Sequence, residues 1–99
     1  MSMKPFSSFW LYIDGARWRF RFVKSSQIPP DRWGDCDPPS NPKRTIRVRE
    51  ALKAKDRLET VIHEVLHAQH PHATEQTVQQ QSLELSRLLW RLGYRRVET

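Results

Sequence analysis

ALKAKDRLETVIHEVLHAQ, residues 51–69, places Leu58, Val61, Ile62, Val65 and Leu66 at three- and four-residue spacing. That period predicts an α-helix with one apolar face, and Pro71 predicts that it stops just beyond Gln69. Within it stands His63-Glu64-Val65-Leu66-His67, an HExxH pattern. Residues four apart in a helix differ by about 40° in azimuth and about 6 Å in height, so both imidazoles can reach one ion at the roughly 2.0–2.1 Å of a zinc–nitrogen bond. Glu64, about 100° round from His63, can reach water on that ion without being a ligand. This is what metal-assisted hydrolysis needs: an ion that acidifies water and a carboxylate that takes the proton. Every other position from Thr60 to Ala68 is uncharged, as expected of a helix buried to carry a shielded ion.

Upstream, FWLYIDGARWRFRFV (residues 9–23) is broken once by Asp14-Gly15, the dipeptide best suited to a type I′ turn, and reads as a β-hairpin. In its second arm Trp18, Phe20 and Phe22 alternate with Arg17, Arg19 and Arg21, so one face packs and the other is cationic. Residues 27–43 hold five of the seven prolines and have no period, which predicts a long loop. TIRVR, residues 45–49, alternates again and predicts a third strand with Ile46 and Val48 inward. Downstream, a second helix is expected over residues 74–92, with Thr74 as N-cap, Gly93 as stop and Tyr94 folding back on Leu89. Its apolar stripe is Val78, Leu85, Leu88, Leu89 and Leu92.

A catalytic zinc takes three protein ligands and leaves one position open, so a further donor must follow His67. Glu75 is the first choice, because it opens the second helix on the face of Val78, Ser82, Leu85 and Leu89, which is expected to pack inward. An acid in a first helical turn is also favoured by the dipole alone. Glu84 and His70 remain alternatives, although seven residues from His63 is about 10 Å of helical rise. The longer HExxHxxGxxH pattern would need glycine where His70 stands and histidine where Ala73 stands. Cys36 with Asp35 and Asp37 is a weaker metal candidate, since a lone thiol is more often a small buried hydrophobe. For an oxyanion donor, His72 and Tyr94 are the residues at hand.

On these residues the chain resembles the zincin metallopeptidases. Thr60 to Ala68 is similar to their extended signature, with Gln69 in place of an apolar residue. The order Gly34, Cys36, Ile46, Val48 and then the His63 helix resembles SprT-like metallopeptidases. LWRLGYR, residues 89–95, is similar to the end of small phage and bacterial proteins regarded as minimal zincins. The resemblance implies a zinc-dependent peptidase acting on a peptide or protein, with His63 and His67 as ligands and Glu64 as base. A glutamate from the following helix resembles the gluzincin ligand set, at a shorter spacing. In zincins an edge strand beside the HExxH helix pairs with an extended peptide, a role expected here of residues 45–49 with the Trp33-Gly34 loop.

At 99 residues the chain is expected to form one α+β domain over residues 1–99, a small antiparallel sheet of about three strands covered on its aromatic face by both helices. One cysteine permits no internal disulfide, and a zinc ion cross-linking the two helices would compensate for a modest core. No apolar run reaches the roughly 18 residues of a membrane span, and MSMKPFSSFWLYIDG is too short of apolar residues for a secretory leader. A cytoplasmic protein is expected. Its net charge of +6 is unevenly placed: no Lys or Arg occurs from Leu58 to Ser86, where Glu59, Glu64, Glu75, Glu84 and all four histidines lie. The Arg17, Arg19, Arg21 row, with Arg47 and Arg49, suits phosphates or plain solvation. A second function class follows, a non-catalytic module binding nucleic acid or protein with a structural metal or none. Oligomeric state is not legible.

Overall fold

A computed structural model describes residues 7–96, so Met1–Phe6, the first part of the stretch tested for a leader, lie outside the described residues. Asp14 and Gly15 both take positive φ, 49° and 77°, and close β1 (Ser8–Ile13) onto β2 (Ala16–Val23) as the dipeptide predicts. The sheet also contains β3 (Gly34–Cys36) and β4 (Thr45–Arg49), in the order β1-β2-β4-β3. The expected three-stranded antiparallel sheet is therefore corrected on two counts. It has four strands, and β4 runs parallel to β2, with Phe20 beside Ile46 and Phe22 beside Val48.

The added strand lies inside the segment expected to be loop. Three residues, Gly-Asp-Cys, carry no period of their own, and the partner strand imposes their extension. Arg47 on β4 binds Asp35 at 2.7 Å and Asp37 at 3.3 Å, and Asp37 Oδ2 accepts the Thr45 N–H at 3.0 Å. The Arg49 guanidinium donates to the carbonyls of Ser25, Pro29 and Arg32, holding the preceding turns to the same strand. β4 is thus interior, and β3 is the strand at the sheet's end. The role of edge strand passes from residues 45–49 to β3.

Helix α1 (Ala54–Gln69) starts three residues later than expected and packs on β3 and β4; α2 (Glu75–Arg91) packs on α1. The core is the inward row Ile13, Trp18, Phe20, Ile46 and Val48 with Ala68, joined by half-buried Val61 and Val65. Both ends of α2 follow the sequence. Thr74 Oγ1 accepts the Thr77 N–H at 3.1 Å, and Gly93 at φ 90° lets Tyr94 N–H reach the Leu89 carbonyl at 3.0 Å. Its inward face follows only in part, at Val78 and Ser82. Val78, Ser82 and Ser86 are buried, while Leu85, Leu88 and Leu92 are 43%, 53% and 63% exposed. The small serines let α2 approach α1 closely, which turns those leucines away, and only α1 rather than both helices covers the sheet. No helix among the described residues is long and apolar enough to cross a membrane.

Gly34 fixes how closely β3 meets α1. A Cβ there would stand 2.9 Å from the Arg47 carbonyl oxygen, 2.9 Å from Thr60 Cγ2 and 3.0 Å from Glu64 Cγ. Gly34→Ala must push β3 off the helix, and a loss of about 1–3 kcal/mol is expected in urea denaturation.

Candidate metal centre

The helical spacing of His63 and His67 brings their Nε2 atoms to 3.1 Å from each other. Thr74 caps α2 so that Glu75, its first residue, reaches across: Oε1 is 2.7 Å from His63 Nε2 and Oε2 is 2.8 Å from His67 Nε2. Three electron-rich groups converging this tightly need a shared electrophile, either a proton or a metal ion. Zinc–nitrogen bonds of about 2.05 Å at a tetrahedral angle set two ligand nitrogens about 3.3 Å apart, so the observed separation fits one ion between the rings. Among the described residues this is the group of three donors able to hold a metal.

Ser82 supports the same use of His63. Its hydroxyl donates to the Gln79 carbonyl at 3.0 Å, which leaves its oxygen to accept from His63 Nδ1 at 3.4 Å. With the proton on Nδ1, the Nε2 lone pair points at Glu75 and His67, the tautomer a metal requires. Gln79 Nε2 in turn donates to Glu59 Oε1 at 3.2 Å, a second polar tie between the helices.

Glu64 is 7% exposed and projects toward β3 rather than joining the ligand group. Burial pushes its carboxyl up to about 7, and the charges of Asp35 and Glu75 add to the effect while Arg32 opposes it. That is the range in which a carboxylate exchanges protons with water at neutral pH. All these residues line one cleft of about 780 Å³, whose walls include Arg32, Trp33, Gly34, Cys36, Thr60 and Pro71.

The predicted residues are thus sorted by position. His63, His67 and Glu75 meet, and Glu64 lies beside them. Glu84 is exposed on α2 outside the group, and His70 lies with His72 around a separate hollow with Thr77 and Gln81. His72 and Tyr94 are both absent from the cleft's lining, Tyr94 standing near Phe22 and Trp90 instead, so neither serves as oxyanion donor. Cys36 lines the cleft, but burial and the charges of Glu64, Asp37 and Asp35 push its thiol up to about 12, and its Sγ contacts the Asp37 carbonyl oxygen at 3.3 Å. A protonated thiol is a poor ligand, and both neighbouring aspartates are held by Arg47. Sequence reasoning placed Ser82 on the inward face but missed its contact with His63, and it missed Arg32 and the close approach at Gly34. A serine at the centre of an otherwise apolar α2 face was the one available signal.

No protein-family model, curated protein or solved structure matches this chain.

Two outcomes follow from this geometry. Glu75→Ala should weaken zinc binding by more than about 100-fold, beyond the 10–100-fold of an outer-shell change, while Glu84→Ala and His70→Ala leave it unchanged; competition against a chromophoric chelator measures this. In the metal-free protein, Glu64 has a folded pKa of about 7 against an ordinary 4.5, so its burial costs nothing below pH 4.5 and the full amount above pH 7. Glu64→Gln should therefore raise stability by roughly 3 kcal/mol at pH 8, at about 1.4 kcal/mol for each tenfold difference in proton affinity between the folded and unfolded chain. The gain should shrink toward zero as pH falls to 4.5 in chelator-containing urea titrations.

Proposed function

We propose that this protein is a zinc-dependent peptidase of the zincin type, in which His63, His67 and Glu75 hold the ion and Glu64 is the base. The observation that supports it most directly is the meeting of three donor groups from two helices beside a buried carboxylate in an open cleft. Bound there, zinc supplies Lewis acidity toward a carbonyl oxygen and brings the pKa of water toward about 7.

The chain's own residues supply the rest. Glu64 accepts a proton from the attacking water at a carboxylate oxygen and returns it to the leaving amide nitrogen. Its raised pKa suits both transfers, because a group titrating near neutrality gives back what it takes. β3 ends the sheet, so one of its edges has no strand neighbour among the described residues, and an extended peptide can add there as a further strand along the cleft. Arg32, in the cleft lining and close enough to act on the Glu64 charge, supplies the positive charge that His72 and Tyr94 are too far away to give. Asp35 and Asp37 are bound by Arg47 and so keep β3 in register instead of competing for the ion. The compartment that fits is the cytoplasm, where the single thiol stays reduced.

Glu64→Gln is the direct test, read by mass spectrometry of digested peptide libraries together with metal content. The expected result is one zinc per chain in both proteins, cleavage by the parent, and a loss of at least about 100-fold in the variant, the lower range for a general base. A parent that holds zinc and cleaves nothing would make the ion structural and leave the binding-module reading.

A further inference from the structure

We propose that the helix-free face of the sheet is a docking platform for single-stranded nucleic acid, with bases stacking on Trp10 and Tyr12 and phosphates meeting Arg17, Arg19 and Arg21. This platform lies on the opposite side of the sheet from the metal cleft and does not depend on the peptidase reading.

Strand register assembles it. Ser8 stands opposite Arg21, Trp10 opposite Arg19 and Tyr12 opposite Arg17, which puts two aromatic rings and three guanidinium groups on one surface. The inward partners Trp18 and Phe20 fill the core, whereas Trp10 is 54% and Tyr12 75% exposed. Large aromatic side chains left this open on a sheet face call for an explanation that the fold itself does not provide. No carboxylate lies within ion-pair distance of Arg17, Arg19 or Arg21 among the described residues, in contrast to Arg47, which has two, and Arg96, which has one. Arg19 Nε donates to Ser8 Oγ at 3.3 Å, and the Arg17 guanidinium lies 4.1 Å from the Trp10 ring centroid. Arg17 and, at 5.8 Å, Arg19 thus lie over the Trp10 ring, which still leaves more than half of Trp10 and most of Tyr12 open to a base. Cations and aromatic surface so stand together as phosphates and bases do in a single strand.

The spacing selects the form of ligand. Side chains two apart on a strand are separated by about 6.8 Å, close to two base-stacking steps of about 3.4 Å. A duplex hides its base faces, so it would engage only the arginines and leave both rings idle; a single strand engages both sets. Ring stacking and guanidinium–phosphate contacts use features that DNA and RNA share, so single strands of both should bind alike.

Fluorescence anisotropy with the full chain and a labelled oligothymidylate of about 15 nucleotides, the upper range of single-domain site sizes, tests the assignment. Affinity should fall with salt at a slope near −2, about 0.7 for each of three phosphates, and each Arg→Gln change at 17, 19 or 21 should reduce that slope by about 0.7. Trp10→Ala with Tyr12→Ala should weaken binding at least about tenfold, while Trp10→Phe with Tyr12→Phe retains most of it. Both variants should keep the parent's circular dichroism and urea-denaturation midpoint, which separates lost stacking from lost folding. Oligouridylate should bind within a few-fold of oligothymidylate. Duplex binding as tight as single-strand binding, an affinity indifferent to the two rings, or binding to phosphatidylserine vesicles with none to the oligonucleotides would each overturn the proposal.

Discussion

The structure depends on what happens where α1 and α2 cross. α2 packs on α1, and its buried face consists of one fully enclosed apolar residue, Val78, and two serines, Ser82 and Ser86. Half-buried Leu83, Leu89 and Trp90 add apolar surface toward its C-terminal end, but in its N-terminal half Val78 is the enclosed apolar residue. That half is positioned by polar contacts at its first two turns, from Glu75 to both imidazoles, from Gln79 to Glu59 and from Ser82 to His63. Glu75 and the two imidazoles repel one another unless something positive lies between them. An ion held at that point, as proposed, would be a folding element before a catalytic one, because it would join the helix that carries both histidines to the helix that carries Glu75.

Charge is sorted across the molecule on the same plan. Seventeen basic side chains outnumber eleven acidic ones, yet the cleft is lined by Asp31, Asp35, Asp37, Glu59, Glu64 and Glu75 against Arg32 alone among cations. The stretch free of Lys and Arg from Leu58 to Ser86 is the sequence image of that sorting. A lysine or arginine placed there would neutralise the carboxylates that make the site attractive to a cation and would pull the Glu64 pKa back down.

Much of this is legible in the sequence because the signals are local. Asp14-Gly15 names its own turn, Trp18 to Phe22 and Ile46 to Val48 name their inward faces, and Thr74 and Gly93 name the ends of α2. His63, Glu64 and His67 are placed by helical spacing, and Glu75 is preferred to Glu84 and His70 for its place at the start of the next helix on the face of Val78 and Ser82. What escapes are choices made by distant partners. β3 exists because Arg47 and Thr45 hold Asp35 and Asp37, and its three residues have no pattern to read. The orientation of α2 is misread from sequence because leucines outweigh serines on any apolar scale, while close packing favours the serines. The parallel pairing of β2 with β4 cannot be told from an antiparallel one, since alternation is the same in both directions.

That parallel pairing governs the order in which the chain can assemble. β4 is the last strand to be made and yet it lies between β2 and β3, so neither the hairpin nor the short Gly-Asp-Cys strand can complete a sheet until residues 45–49 have arrived between them. The proline-rich segment must close its large loop before any of the Phe20–Ile46 or Phe22–Val48 contacts reward it. A chain of this length joined as a simple meander would zip from one turn to the next. Here the central pairing of β2 with β4 joins residues more than twenty positions apart, the kind of non-local contact that slows a search.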